Sequence, residues 1–373
     1  MAPRGQSAAA KAASEGAPPS KRPRTEDVQV PAGICAFHHI DDWYDQNKAS
    51  FSPPVCNKLM HKGQLSIMFV GGPNTRKDFH LEEGSEFFLQ LRGDMELPTV
   101  QRGRKKVVKI KAGQVFCLPS RIPHSPQRPM EGSLGLVIER QREARELDGL
   151  VFYRDFATCD EVMWERFFAC KDLGTDLPPV IRAFKEFEAT PEAEKKWEGK
   201  EADRPVRQDV QTEVPAPFFL EDLLMASAEK LAAGKAVSLL GNSHPDREFQ
   251  AHAVGGPSEQ RGQTSALETW LYQIRGTAHI AMDSGTLALT EGCCCIVEAG
   301  KSFDVVRSAG SVGLIIRQDP KGNKGTSESP EERDVEEEEE EEDDDEEDEE
   351  SEEPPAKKQK TDGKGKGKGD KGK

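Results

Sequence analysis

Two histidines and a glutamate stand at spacings that could hold a metal. In the stretch GGPNTRKDFHLEEGSEFFLQLRG, Gly72 is followed by Asp78, His80, Glu86 and Gly93, and in GQVFCLPSRIPH, Gly113 and Pro119 precede His124. Two imidazoles and one carboxylate brought together from neighbouring strands form a facial set with open positions, which suits Fe(II) that takes substrate and O2 on its free side. A single histidine would be an ordinary loop or half-buried residue; the joint spacing is what points to a metal. Glu82 and Glu83, beside Gly84, are expected to be solvated turn residues, and Arg121 a surface turn residue. His244, His252 and His279 have no carboxylate at matching spacing and are expected to be structural. Arg128 and Glu139 admit two readings, a structural ion pair across strands or a pair of substrate contacts.

The elements that must position these residues are strands. Between residues 35 and 190, short apolar runs (LSIMFV, EFFLQL, VVKI, QVFCLP, LGLVIE) alternate with Gly, Pro and Asn/Asp turns, which predicts antiparallel sheets closed into a sandwich or barrel. Helix-like patterns follow at 161–170 and 177–187. The polar, Pro-bearing run KWEGKEADRPVRQD reads as a linker. A second block, from about 213 to 318, opens with the helical pattern FFLEDLLMASAEKLAAG and returns to strands and turns. The two blocks repeat each other: FFLQLRGD answers WLYQIRGT, AGQVFCLP answers EGCCCIVE, and GSLGLVIER answers GSVGLIIRQ. Carried across this repeat, His80 falls on Gln263, Glu86 on Thr269, His124 on Phe303 and Glu139 on Arg317, so the second unit keeps no ligand.

Composition bounds the remaining possibilities. The 373-residue chain has a formal charge of −16, but residues 331–353 alone hold 20 acidic side chains and one basic one. Residues 31–330 carry only about −5, an ordinary globular balance. No stretch approaches the roughly 18 apolar residues of a membrane span, and the N-terminus has no apolar leader core, so a soluble, cytoplasmic protein is expected. Eight cysteines without a CxxC are read as reduced thiols, mostly packed in the core. Cys293, Cys294 and Cys295 should alternate faces of one strand rather than bind metal. The basic runs PSKRPRTED and PAKKQK resemble short nuclear-import signals, and the acidic block could meet basic partners, but such runs are usually solvated tails. No nucleic-acid or membrane partner is expected.

The two metal-bearing stretches resemble the paired motifs of the cupins, with Asp78 where many cupins have another histidine and Arg121 where the second motif usually has glycine. That resemblance implies a three-ligand site and a mainly β fold. The fold would be two tandem cupin (double-stranded β-helix, or jelly-roll) barrels with a few helices and disordered tails. The expected organisation is a disordered basic arm at 1–32, a catalytic barrel at 33–193, a linker at 194–212, a degenerate metal-free barrel at 213–320, and a disordered tail at 321–373.

Longer stretches narrow the likeness. PPVCNKLMH, IMFVGGPNTRKDFHLEEGSEFF, PHSPQR, GLVIER and CKDLGTDLPPVI are similar to the single-chain, two-cupin 3-hydroxyanthranilate 3,4-dioxygenases of animals. The resemblance implies one Fe(II) per chain on His80, Glu86 and His124. It also implies an O2-facing Arg76, substrate contacts at Arg128 and Glu139, and Asn57 as a further pocket residue. Bacterial relatives add a second, cysteine-ligated iron, and this chain lacks the paired cysteines for it. Implied partners are 3-hydroxyanthranilate and O2, with a ring-opened semialdehyde that cyclises to quinolinate and feeds NAD synthesis. A monomer is expected, because barrel already packs on barrel. The competing reading is a non-catalytic bicupin scaffold with nuclear, basic partners; a scaffold would need neither the metal set nor Arg76, Arg128 and Glu139.

Overall fold

The computed structural model describes residues 28–51 and 56–322, so most of the expected arm and tail, including the acidic block, lies outside the described residues. The first block runs β1 (Ile34–His39), α1 (Ile40–Asn47), β2 (Asn57–Lys62), β3 (Leu65–Gly71), β4 (Asp78–Leu81), β5 (Glu86–Arg92) and β6 (Met95–Gln101). It continues through β7 (Arg104–Ile110), β8 (Gln114–Leu118), β9 (Leu134–Arg140), β10 (Asp148–Tyr153), β11 (Val162–Phe168) and α2 (Leu173–Glu188). The second block holds β12 (Phe218–Phe219), α3 (Leu220–Ala226), α4 (Ala228–Ala232), β13 (Ala236–Ser238), β14 (Phe249–Gly255) and β15 (Ser258–Gln263). It closes with β16 (Thr269–Arg275), β17 (Thr277–Met282), β18 (Gly285–Thr290), β19 (Cys293–Val297), β20 (Phe303–Arg307) and β21 (Val312–Gln318). No helix among the described residues is long and apolar enough to cross a membrane.

The sequence repeat becomes a repeat of sheets. One six-stranded sheet has the order β12-β8-β5-β9-β3-β2, and the other has β1-β19-β16-β21-β14-β13, the same order strand for strand. Each edge is closed by a strand from the other block: β1 pairs with β19, and β12 pairs with β8. The sheets therefore cross the boundary expected between the barrels. The expected linker is held against the first barrel, where Arg204 Nη2 lies 2.7 Å from a Glu165 carboxylate oxygen and Gln208 donates to the Val100 carbonyl.

Alternation along the strands sorts the side chains into an interior and a shared core. On β5, Phe87 and Leu89 join Leu65, Ile67 and Phe69 of β3, Leu136 and Ile138 of β9, and Trp270, Leu314 and Ile316 of the second sheet in one cluster. The two large sheets thus pack face to face; each fully buried Phe or Ile contributes about 1.5–3 kcal/mol, so this seam is a large part of the fold's stability. The other face of β5, carrying Glu86, Phe88 and Gln90, turns into the first barrel, where Phe88 packs with Met95, Leu97 and Phe116. Cys294 faces the shared core while Cys293 and Cys295 face the interior of the second barrel, the alternation expected for packed thiols.

Residues 161–170 do not form the expected helix. Val162–Phe168 is strand β11, paired with β10, and the helix begins at Leu173, capped by Asp172, whose side chain accepts from the Gly174 N–H. The run VMWERFF is rich in aromatic and β-branched residues, and a partner strand decided its state.

Candidate metal centre and its pocket

His80 and His124 are aligned by the backbone. The His80 N–H donates to the His124 carbonyl at 2.7 Å, and the His124 N–H donates back at 2.9 Å. This bridge places both imidazoles inside the barrel with ring centroids 5.4 Å apart. The turn at Gly84 returns the chain so that Glu86, the first residue of β5, brings Oε1 to 3.1 Å from His124 Nε2 and 3.8 Å from His80 Nδ1. The donor atoms of His80, Glu82, Glu86 and His124 all lie within 4.8 Å of one another, and all four residues are buried.

Glu82 corrects the reading of it as a solvated turn residue. It is only 3% exposed, and its Oε1 stands 3.7 Å from His80 Nδ1. The reason lies in Arg142, which reaches the other carboxylate oxygen of Glu82 from the segment after β9. Glu83 is also less solvated than expected, its side chain 26% exposed near Arg121, whose backbone is left-handed at φ 59 and whose side chain is 15% exposed. Arg121 is therefore a turn residue, though less exposed than expected.

Each imidazole has its other nitrogen anchored. His124 Nδ1 donates to the Ile122 carbonyl at 3.0 Å, and His80 Nε2 donates to Asp148 at 2.7 Å. This leaves His124 Nε2 and His80 Nδ1 turned toward the carboxylates, as metal-ligating histidines require. Burial opposes a charged His80, but the Asp148 hydrogen bond and Glu86 outweigh it and push His80 up to about 9. Burial likewise opposes a charged Glu86, yet His124, Glu82 and His80 hold it well below the usual carboxylate range. Glu82 is driven well above that range by burial and by the neighbouring Glu139 and Glu86, against Arg142. Two anchored imidazoles with carboxylate oxygens fit a divalent metal ion.

Around this cluster the structure brings in the other expected residues. Glu139, on the interior face of β9, has Oε2 3.0 Å from Arg142 Nη1, and burial raises it above the usual carboxylate range. It does not pair with Arg128. Arg142 also binds Asp148, at 3.0 Å through Nε and 2.9 Å through Nη2, so one guanidinium balances three buried carboxylates. Arg76 is held by Asp78 through Nε at 2.9 Å, which gives Asp78 a role other than metal ligand.

Arg128 is 2% exposed, its backbone locked by reciprocal 2.7 Å bonds to Asn74, while Nε and Nη2 have no partner. Burial lowers it to about 10, with Glu86 opposing. Gly135 makes room for it, since a Cβ there would stand 2.7 Å from Nη2. Asn57 lines a cavity of about 970 Å3 with Met68, Glu139, Arg142 and Cys170, and Lys58, Lys62 and Lys171 stand on its wall. Glu139 and Arg142 join this cavity to the donor cluster.

Sequence reasoning missed Arg142 and Asp148, both remote from the motifs; one acidic and one basic residue among many in QREARELDG carry no local signal. His244, expected to be structural, accepts the Asp246 N–H at Nδ1 and lies with Cys117 and Asp246 in a buried group. His252 is half-buried, and His279 is exposed on β17.

A family profile described as 3-hydroxyanthranilic acid dioxygenase matches residues 35–185. Curated relatives named 3-hydroxyanthranilate 3,4-dioxygenase include that of Rattus norvegicus, 41% identical over 285 residues, covering 76% of this chain and 97% of the relative. That of Nematostella vectensis is 43% identical, covering 76% and 99%, and that of Homo sapiens is 40% identical, covering 76% and 96%. Among solved structures, a salicylate 1,2-dioxygenase from Pseudaminobacter salicylatoxidans aligns with a TM-score of 0.48 at 10% identity, covering 78% of this chain and 86% of that one.

Proposed function

The chain belongs to the 3-hydroxyanthranilic acid dioxygenase family, and from that premise we propose that its first barrel opens the ring of 3-hydroxyanthranilate with O2 at one Fe(II) per chain, held by His80, Glu86 and His124. The product is 2-amino-3-carboxymuconate semialdehyde, the precursor of quinolinate on the route to NAD. The observation that carries the reading is the buried donor cluster in which each histidine has its other nitrogen anchored. Fe(II), when bound, supplies chelation of the substrate's adjacent hydroxyl and amine and a path for electron density from ring to O2.

The chain's own side chains do the rest. Arg128 offers Nε and Nη2, which form one edge of the guanidinium fork, to the substrate carboxylate as a bidentate pair; both are buried and unpartnered. Glu139, kept easy to protonate by burial, takes the hydroxyl proton on Oε2, and Arg142 holds that carboxylate in place. Arg76, steadied by Asp78 and facing the field of Glu86, stabilises negative charge growing on the oxygen. Asn57 holds the cavity wall beside the ring, and the lysines there give an entering anion a positive field. Glu82 stays beside the ligand set, held there by Arg142. The division into barrels at 33–193 and 213–320 joined by 194–212, a monomeric state and a cytosolic location complete the reading. A scaffold role is not favoured.

The test is anaerobic reconstitution with Fe(II), then addition of 3-hydroxyanthranilate and air while the semialdehyde absorbance is followed. Wild type should load about one iron per chain and form product, and His80→Ala should do neither. Well-folded, iron-loaded wild type that forms none would end the assignment.

A further inference from the structure

A second group of possible ligands lies at the seam between the barrels. Cys35 is on β1, the strand lent to the second barrel; His61 is on β2, at the edge of the first; Glu268 immediately precedes β16. Their Sγ, imidazole nitrogen and carboxylate oxygen lie within 4.8 Å of one another. His61 Nε2 is 3.0 Å from Glu268 Oε2, which also accepts the Leu65 N–H at 2.8 Å. Both side chains fold over Gly63, where a Cβ would come within 2.4 Å of Glu268 Oε1 and 2.6 Å of His61 Nε2. A side chain at residue 63 would have to displace both. Cys35 is exposed and outside any disulfide, and its thiol donates to the Ile296 carbonyl at 3.6 Å. A hollow of about 420 Å3, lined by Cys35, His38 and His61, opens beside two of the three residues.

We propose that Cys35, His61 and Glu268 form a second, non-catalytic site for a zinc-class divalent cation, which staples the edge strand of the first barrel to the second barrel. One sulfur, one nitrogen and one oxygen donor with an open fourth position suit a borderline-soft tetrahedral ion. The thiol ligates as thiolate, so binding releases its proton. The other buried group, Cys117 with His244 and Asp246, is spent internally: the Asp246 carboxylate accepts from the Ser85 hydroxyl and the Phe249 N–H, and His244 Nδ1 accepts the Asp246 N–H.

The probe is Co2+ added anaerobically to the iron-loaded full chain. A thiolate-to-cobalt charge-transfer band in the near ultraviolet can arise only at a sulfur-bearing site, which the dioxygenase cluster is not. The band should appear, saturate near one cobalt per chain, persist in His80→Ala and vanish in Cys35→Ser. Zn2+ should raise the Tm of wild type and leave that of Cys35→Ser unmoved. Absence of the band, or its survival in Cys35→Ser, would overturn the site and leave His61 and Glu268 as a plain hydrogen-bonded brace. Cys35 is exposed and its change to Ser conservative, so loss of folding does not confuse the outcome.

Discussion

The two barrels lay the same strands in the same order around a shared apolar seam, yet only the first gathers imidazoles and carboxylates in its interior. His80 faces His124 across a backbone bridge, and the equivalent pair in the second barrel is Gln263 opposite Phe303. Glu86 opens β5 toward the imidazoles; its counterpart Thr269 opens β16 and accepts a 2.8 Å hydrogen bond from Arg317 Nε, and Arg317 replaces Glu139. The first block also carries β10 and β11, inserted after β9, which bring Asp148, and the segment before them brings Arg142. The second barrel has no equivalent among the described residues. A jelly-roll frame is therefore insufficient for the site: crowded buried carboxylates need the extra segment that balances them.

One feature survives in both barrels. Arg307 is the counterpart of Arg128, 4% exposed, and burial lowers each to about 10. Gly313 stands against Gln273 as Gly135 stands against Gln90. The difference lies in the partners, because Arg307 Nη1 donates to Gln260, the residue standing where the first barrel has Arg76. A buried arginine belongs to the frame, and its freedom to take a ligand belongs to the first barrel.

The largest break between the barrels is expected from matched alanine variants: His80→Ala should reduce ring opening to background, and Gln263→Ala should leave turnover unchanged. Equal losses would show that the variants act through folding. Next, Arg128→Met should weaken substrate binding by about 2–5 kcal/mol, read as a rise in KM, while Arg307→Met should not alter KM. Both should leave Tm unchanged or raise it, since each removes an incompletely paired buried charge. A fall in Tm for Arg128→Met alone would make that residue a structural pillar.

Asp148→Asn, with no position to match it in the second barrel, should lower metal affinity about 10–100-fold, measured by competition with a chelator. Unchanged affinity would remove the anchoring role. The smallest effect is at the seam, where burial pushes Glu248 up to about 7 from an ordinary 4.5 although Arg140, Gln318 and the Ser85 N–H donate to it. A carboxyl raised in the folded state favours folding fully below its unfolded value and loses that contribution as pH climbs toward 7. Stability should therefore fall from pH 4.5 to 7 by this group's share, and Glu248→Gln should flatten the fall. Urea midpoints across that range would locate the titration elsewhere if both proteins keep one slope.

Much of this was legible beforehand. Strand alternation, the repeat and the spacing of His80, Glu86 and His124 are local properties, written in side-chain period and turn residues, and they placed the donors on the interior faces of β4, β5 and the segment leading to β9. The same local signals misread residues 161–170, where pairing with β10 overrode a helical pattern, and Glu82, whose burial depends on an arginine 60 residues away.

The amino-acid sequence alone determined most of the strands, that the unit occurs twice, and which copy keeps histidines and a glutamate at metal-binding spacing. Only the tertiary structure decided how the charges are balanced and how the blocks are joined. Asp148 reaches His80 across 68 positions, β1 and β12 change barrels, and Cys35 meets His61 and Glu268 at the seam. The physical reason is range. Pleat and turn geometry are set by neighbours in the chain, whereas electrostatic compensation in a low-dielectric interior depends on whatever the fold brings within a few ångströms, and sequence separation does not encode that.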